Sequence, residues 1–276
     1  MSFYTPERRG FMLALAAAAL EPALAKAQSA PAPISAGPPS PALIEDLVTA
    51  NRILADQGVV DAFGHVSARH DKNPERFLLA RNLAPGQVTA ADIMEYDLDG
   101  NPVDARGRAS YLERFIHGSI FRARKDVGSV IHSHSAGVIP FSVSDTPLRP
   151  IYHMAGFIGG PAPVFEIRDS FGPSTDLLIR DPKMGAALAA ALGQRNVVLM
   201  RGHGSVAVGA NVRLAVMHAV YTEANARLQA EAMKLGGKVN FLDADEAAKT
   251  QATNDGQVER AWGFWRNKAL SANPIK

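Results

Sequence analysis

The apolar run at residues 127–131 ends in His132-Ser133-His134, within the segment VGSVIHSHSAGVIPFSV. Such a run predicts a buried strand, and on a strand the side chains at i and i+2 project to the same face. Any fold for this chain must therefore carry two imidazoles on one side of a sheet, at the end of a strand. Two imidazoles a few ångströms apart begin a divalent-metal site. The other reading is a pair of structural histidines, each needing its own buried hydrogen-bond partner.

Two more residues extend the metal reading. His203 lies in Arg201-Gly202-His203-Gly204, just after the apolar strand predicted at 196–200. Its glycines suit a metal-binding loop, or simply a tight turn. Glu113 opens Glu113-Arg114-Phe115-Ile116-His117 on the predicted helix that precedes the His132 strand. A helix-to-strand return would bring its carboxylate over the histidines as a fourth ligand or general base. Spacing alone favours the plainer alternative, a surface glutamate paired with Arg114 or His117.

Periodicity supplies the frame. Helical spacing covers 42–57, 112–124, 136–143, 182–192 and 212–235, with Gly193 and Gly236-Gly237 as stops. Extended runs cover 63–69, 76–80, 93–98, 130–132, 163–167 and 197–200, and residues 205–208 extend the last of these past its loop. No internal repeat is evident. The pattern predicts mixed α/β, a central sheet with helices packed around it.

The chain has 276 residues, 47% hydrophobic and 20% charged, enough for one large or two small domains. Its net charge of +2 is spread along the chain, so no basic stripe suggests nucleic acid. There is no cysteine, which excludes disulfides, thiolate ligands and a cysteine nucleophile. A metal here must use N and O donors, which suits zinc, manganese, iron or cobalt.

The N-terminus has the features of a targeting segment. Arg8-Arg9 precede Phe11-Met12, a short apolar stretch at 13–20, and the small-x-small site Ala25-Lys26-Ala27. Residues 1–27 are expected to be a twin-arginine-type signal peptide, and the mature protein periplasmic and free of the membrane. Residues 28–40, rich in Pro, Ala and Ser, are expected to be a disordered linker.

The order of motifs resembles the class II aldolase/adducin family over roughly residues 41–236. In that family a glutamate at the start of a helix precedes a His-x-His pair, and a third histidine follows in a glycine-flanked loop. Glu113, His132, His134 and His203 fall on those positions, and the approach 126–132 is similar too. The resemblance implies a three-layer α/β/α fold with a central mixed, mainly antiparallel sheet. It also implies one divalent metal per subunit held by these four residues, and a homotetramer with active sites at subunit interfaces. The catalytic domain is then 41–240. Residues 241–276 form a C-terminal extension, partly helical, expected at the subunit interface.

Departures from the sugar-phosphate aldolases narrow the reading. The aldolase Gly-Asn-x-Ser becomes Gly64-His65-Val66-Ser67, and the phosphate loop becomes Ala80-Arg81-Asn82-Leu83-Ala84-Pro85. A phosphate dianion needs clustered N–H and O–H donors, and most are missing. The runs 63–67, 114–118, 134–143, 152–157, 221–227 and 260–265 instead resemble the aromatic-acid decarboxylase branch, typified by 3-hydroxy-2-methylpyridine-4,5-dicarboxylate decarboxylase. The implied reaction is decarboxylation of an ortho-hydroxy aromatic or heteroaromatic carboxylic acid. Glu113 or His153 would supply the proton, and His65, Ser67 and Arg81 would hold the substrate. His153, where aldolases place a tyrosine acid, is otherwise an ordinary core or interface histidine. Two alternatives stay open: an aldolase or dehydratase for a non-phosphorylated hydroxy-carbonyl substrate, and a non-catalytic adducin-like binding module.

Overall fold

The computed structural model describes Met1 and residues 32–272. The expected signal peptide, 1–27, lies outside the described residues apart from Met1.

Seven strands form one sheet: β1 (His65–Arg69), β2 (Arg76–Ala80), β3 (Ile93–Asp97), β4 (Ser129–Ser133), β5 (Val164–Phe165), β6 (Val197–Met200) and β7 (Gly204–Gly209). Their spatial order is β3-β2-β1-β4-β7-β6-β5. Every neighbouring pair is antiparallel except β5 with β6. The sheet is thus mixed and mainly antiparallel, as the family resemblance implies.

Both faces of the sheet are covered, so successive residues of a central strand enter different cores. Ile131 joins the core with α1 (Pro41–Asp56), α6 (Val212–Lys234) and α8 (Val258–Ala272). Its neighbour Val130 joins the core with α2 (Arg114–Ala123) and α5 (Pro182–Leu192). His132, two residues beyond Val130, therefore emerges on the α2 face. Val66 in β1 faces α1 and α6, which leaves His65 and Ser67 on the α2 face as well.

Local chemistry sets the helix starts. Ser40 caps α1 by accepting from Leu43 N–H at 3.3 Å, with Pro41 in the first turn. Asp181 caps α5 at Met184 N–H, 2.8 Å, and Asn211 caps α6 at Leu214 N–H, 2.9 Å. Each satisfies a donor that the first turn leaves unpaired.

Two expectations change. Residues 204–209 do not extend β6. They fold back as β7, with Met200 opposite Gly204, because Gly202 adopts a left-handed φ of 62° and reverses the chain. In the stretch expected to be a disordered linker, residues 32–40 run along the edge of the sheet. Ser35 Oγ and Ala36 N–H donate to Glu95 at 2.6 and 2.7 Å, and Ser40 N–H donates to Asp71 at 2.9 Å.

The chain after residue 240 forms α7 (Ala244–Asp255) and α8. On α8, Trp262, Trp265 and Ala269 are buried in the same core as α1 and α6. Two further helices carry shorter spans, α3 (Ile139–Ser142) and α4 (Arg168–Phe171). Among the described residues no helix is long and apolar enough to cross a membrane.

Candidate metal centre

Three connections bring the predicted ligands together. His132 lies in β4 and His134 just beyond its end. The β6–β7 hairpin sets His203 beside them, because β7 pairs with β4. Gly204 permits this approach, since a Cβ there would lie 2.0 Å from the Ser133 carbonyl oxygen. Glu113 occupies the N-cap position of α2, whose positive end favours a carboxylate.

One nitrogen or oxygen from each of Glu113, His132, His134 and His203 lies within 4.8 Å of the other three. Glu113 Oε2 is 3.5 Å from His132 Nε2 and 3.4 Å from His203 Nε2. His134 Nε2 and His203 Nε2 stand 2.9 Å apart.

The outer nitrogens are committed elsewhere. His132 Nδ1 contacts the Ser205 carbonyl oxygen at 3.1 Å, and His203 Nδ1 the Leu177 carbonyl oxygen at 2.9 Å. A carbonyl only accepts, so each Nδ1 carries the proton and each Nε2 offers a lone pair inward. Glu113 Oε1 accepts from Ile179 N–H at 2.9 Å, which leaves Oε2 for the cluster.

These donors fit a divalent ion. His132 Nε2 is fully buried and has no hydrogen-bond partner among the described residues. A buried lone pair without a partner is costly, and a cation at the convergence point would satisfy it. Three imidazoles and one carboxylate, with Glu113, His132 and His203 each oriented by a backbone group behind it, match the donor chemistry of zinc, manganese, iron or cobalt.

Charge separates Glu113, His134 and His203. Burial alone would raise the Glu113 carboxyl, but His132 and His203 hold it far below the usual carboxylate range. Burial and the neighbouring His132 and His203 push His134 down to about 4. Burial also lowers His203, yet Glu113, by hydrogen bond and charge, leaves it above its ordinary value.

The cluster opens into a cavity of about 550 Å³. Phe63, Leu83, Tyr111, Leu112 and Leu178 give it apolar walls, and His65 and Asn82 add polar groups. Phe63 stacks on His134 with centroids 6.1 Å apart. Tyr111 donates its hydroxyl to the Leu83 carbonyl oxygen, and burial pushes that phenol up to about 12.

The expected substrate residues separate. His65 lines this cavity, directly opposite His132 in the β1–β4 register, and packs against Tyr111 at 4.7 Å. Ser67 is fully buried one step further along β1, where it contacts His117 at 2.6 Å. Arg81 does not line the cavity, and its guanidinium donates to Asp92 at 2.6 Å. His153 opens a 3-10 turn, His153–Ile158, and lines a separate hollow with Lys249 and Thr250. Within one chain it is not brought to the cluster.

Two groups of functional residues escape the sequence reading. His117 sits behind His65, with Nε2 2.6 Å from His65 Nδ1. Its i+4 spacing from Glu113 on one helix face was the available signal. Glu223, buried on α6, accepts from Ser135 Oγ and from Gly137 N–H at 3.0 Å, and so pins the chain just after His134. Nothing in the local sequence connects it to residue 135.

Comparison with known proteins agrees with this geometry. The model of the Class II Aldolase and Adducin N-terminal domain matches residues 45–230. The chain is similar to the decarboxylase tropJ of Talaromyces stipitatus, 35% identical over 244 residues, which is 80% of this chain and 92% of that protein. It is also similar to the 3,4-dihydroxyphthalate decarboxylase of Arthrobacter keyseri, 30% identical over 79% of this chain and 90% of that protein. Among solved structures, the L-fuculose 1-phosphate aldolase from Glaciozyma antarctica superposes with a TM-score of 0.69. At 24% identity it covers 87% of this chain and 98% of the aldolase, and speaks for the fold alone. With its family signature spanning the sheet and all four clustered donors, the chain belongs to the class II aldolase/adducin family.

Proposed function

We propose that this protein decarboxylates an ortho-hydroxy aromatic or heteroaromatic carboxylic acid, using one divalent metal held by Glu113, His132, His134 and His203. That it is a lyase has the support of two decarboxylase relatives at 30% identity or more, each covered over nine-tenths of its length. One observation carries the finer reading: the ligand cluster opens directly into a cavity walled by Phe63, Tyr111 and three leucines. Its volume, about 550 Å³, lies in the usual range for small-molecule sites. An aromatic ring matches those walls, whereas a sugar phosphate would need clustered donors that Asn82-Leu83-Ala84 do not supply.

A metal bound there would supply Lewis acidity toward the substrate's adjacent phenolate and carboxylate oxygens; zinc and manganese head the list, with iron and cobalt behind them. The protein's own residues do the rest. The apolar walls orient the ring and exclude water, which strengthens every charged contact inside. Glu113 serves as a ligand, because a carboxyl held so low carries no proton to give. His65 offers its remaining ring nitrogen to a second substrate oxygen. The proton that replaces the departing carboxylate on the ring comes from His153 of a neighbouring copy in the expected homotetramer, because within one chain His153 lines a separate hollow. The same reading retains twin-arginine export to the periplasm, supported by Arg8-Arg9 and the apolar stretch after them.

The test is carbon dioxide release from a panel of dihydroxybenzoates, dihydroxyphthalates and pyridine dicarboxylates by the metal-loaded protein. Release with a ring C–H left behind is expected. Cleavage of hydroxy-keto acids only, with no carbon dioxide, would replace this reading with an aldolase for non-phosphorylated substrates.

A further inference from the structure

His65 is held from behind by a chain of two buried groups. Ser67 Oγ and His117 Nδ1 are 2.6 Å apart, and His117 Nε2 and His65 Nδ1 are 2.6 Å apart. The line runs from the interior of the sheet to the cavity wall. Ser67 and His117 are both 0% exposed, so water does not interrupt it. Each contact then holds one proton, and a choice made at one end orients the whole chain.

The choice is made at Ser67. Its hydroxyl has two acceptors in reach, His117 Nδ1 at 2.6 Å and the Val130 carbonyl oxygen at 3.5 Å. The first is a strong hydrogen bond and the second is beyond the working range for O–H···O. In the reverse orientation His117 Nδ1–H would donate to Ser67 or to the Val130 carbonyl, and either way the Ser67 proton would keep only that distant carbonyl. A buried hydroxyl proton with no proper acceptor is disfavoured. Ser67 therefore donates to His117 Nδ1, and His117 Nε2–H donates to His65 Nδ1. The remaining proton of His65 lies on Nε2, the nitrogen left for the cavity. Tyr111 at 4.7 Å and His132 at 5.1 Å, ring centroid to ring centroid, pack against that imidazole and hold its plane.

We propose that Ser67 and His117 are positioning residues that fix His65 as its Nε2–H tautomer, so that the cavity wall presents a hydrogen-bond donor. The site then selects a substrate with a carboxylate or carbonyl oxygen at this position and discriminates against one offering only a donor. The selectivity rests on the proposed hydroxyaryl-carboxylate reading; the tautomer does not. Of the three residues only His65 meets the substrate, and Ser67 and His117 act through it.

The experiment is nitrogen NMR of the full chain, labelled at histidine and loaded with diamagnetic zinc, together with steady-state kinetics. Wild type should carry the His65 proton on Nε2 and leave Nδ1 bare. In Ser67→Ala the deciding hydroxyl is gone. His117 should then turn its proton toward Val130, and His65 should become the Nδ1–H tautomer. KM for a dihydroxybenzene dicarboxylate should rise about tenfold, the loss of one hydrogen bond to a charged group. KM for the monocarboxylate lacking the second oxygen should stay unchanged, and Ser67→Thr should restore both readouts. A bare Nε2 on wild-type His65 overturns the proposal by itself, without reference to any substrate. The expected tautomer in a wild-type protein that turns over no hydroxyaryl carboxylate overturns the substrate reading, and the selectivity with it.

Discussion

His134 Nε2 faces His203 Nε2 across 2.9 Å, and His203 has already given its ring proton to Leu177. Two ring nitrogens this close hold between them either a proton that His134 donates to His203 or a cation bound by both lone pairs.

Metal analysis should find one divalent ion per chain. His132→Ala and His203→Ala should each weaken metal binding by more than the about 10–100-fold that loss of an outer-sphere contact costs. Chelation of the intact protein should lower Tm by roughly 5–10 °C at metal concentrations about 100-fold above Kd. A metal-free, fully active preparation would defeat the metal assignment.

Acid should strip the metal, and His203 should lead. Its imidazole is held above the ordinary value of 6.5, so protons compete for it earlier than for His134, which is pushed down to about 4. Occupancy is full at high pH and falls as pH drops through the His203 range. Equilibrium dialysis against limiting zinc should register occupancy falling as pH drops, and at a higher pH for weaker-binding ions. The same pH profile in His203→Ala as in wild type would remove His203 from the ligand set.

Glu223 should matter although it touches no ligand. It accepts from Ser135 and Gly137, directly after His134. Glu223→Ala leaves a buried hydroxyl and a backbone N–H without their acceptor, at a cost of about 1–3 kcal/mol each. We expect a lower Tm and about 10-fold weaker metal binding. Equal affinities for variant and wild type would reduce Glu223 to a purely local contact.

Trp265→Ala tests whether α8 belongs to the core of the domain. The indole is 6% exposed and packs against Tyr221, 5.5 Å between ring centroids. Removing a buried indole costs about 3–5 kcal/mol, read as a shift in the denaturation midpoint. A change below about 1 kcal/mol would make α8 an appendage.

Much of this was legible because local chemistry and tertiary packing agree. At α5, Asp181, Pro182 and Gly193 mark both ends, and the helix spans the predicted residues. Strand β2 occupies its predicted bounds because four of its five residues are buried. The candidate metal ligands were legible for a different reason: His132 lies in a strand with His134 two residues on, just past its end, and Glu113 and His203 follow the family's order. What escaped depends on contacts between distant segments. Ser67 and His117 are 50 positions apart, and Ser135 and Glu223 are 88 apart. The turn at Gly202 read as a break within one strand, because nothing in 201–203 announces which way the chain leaves.

His134 and His203 lie 69 positions apart and meet only after β7 has paired with β4. A bound ion would therefore be a late guest, because the four-donor site is complete only once these strands have paired. Metal specificity would then be decided in whichever compartment the chain finishes folding, by the ions available there. If the protein is exported already folded, its metal is chosen in the cytosol, and the ion pool at its destination has no vote.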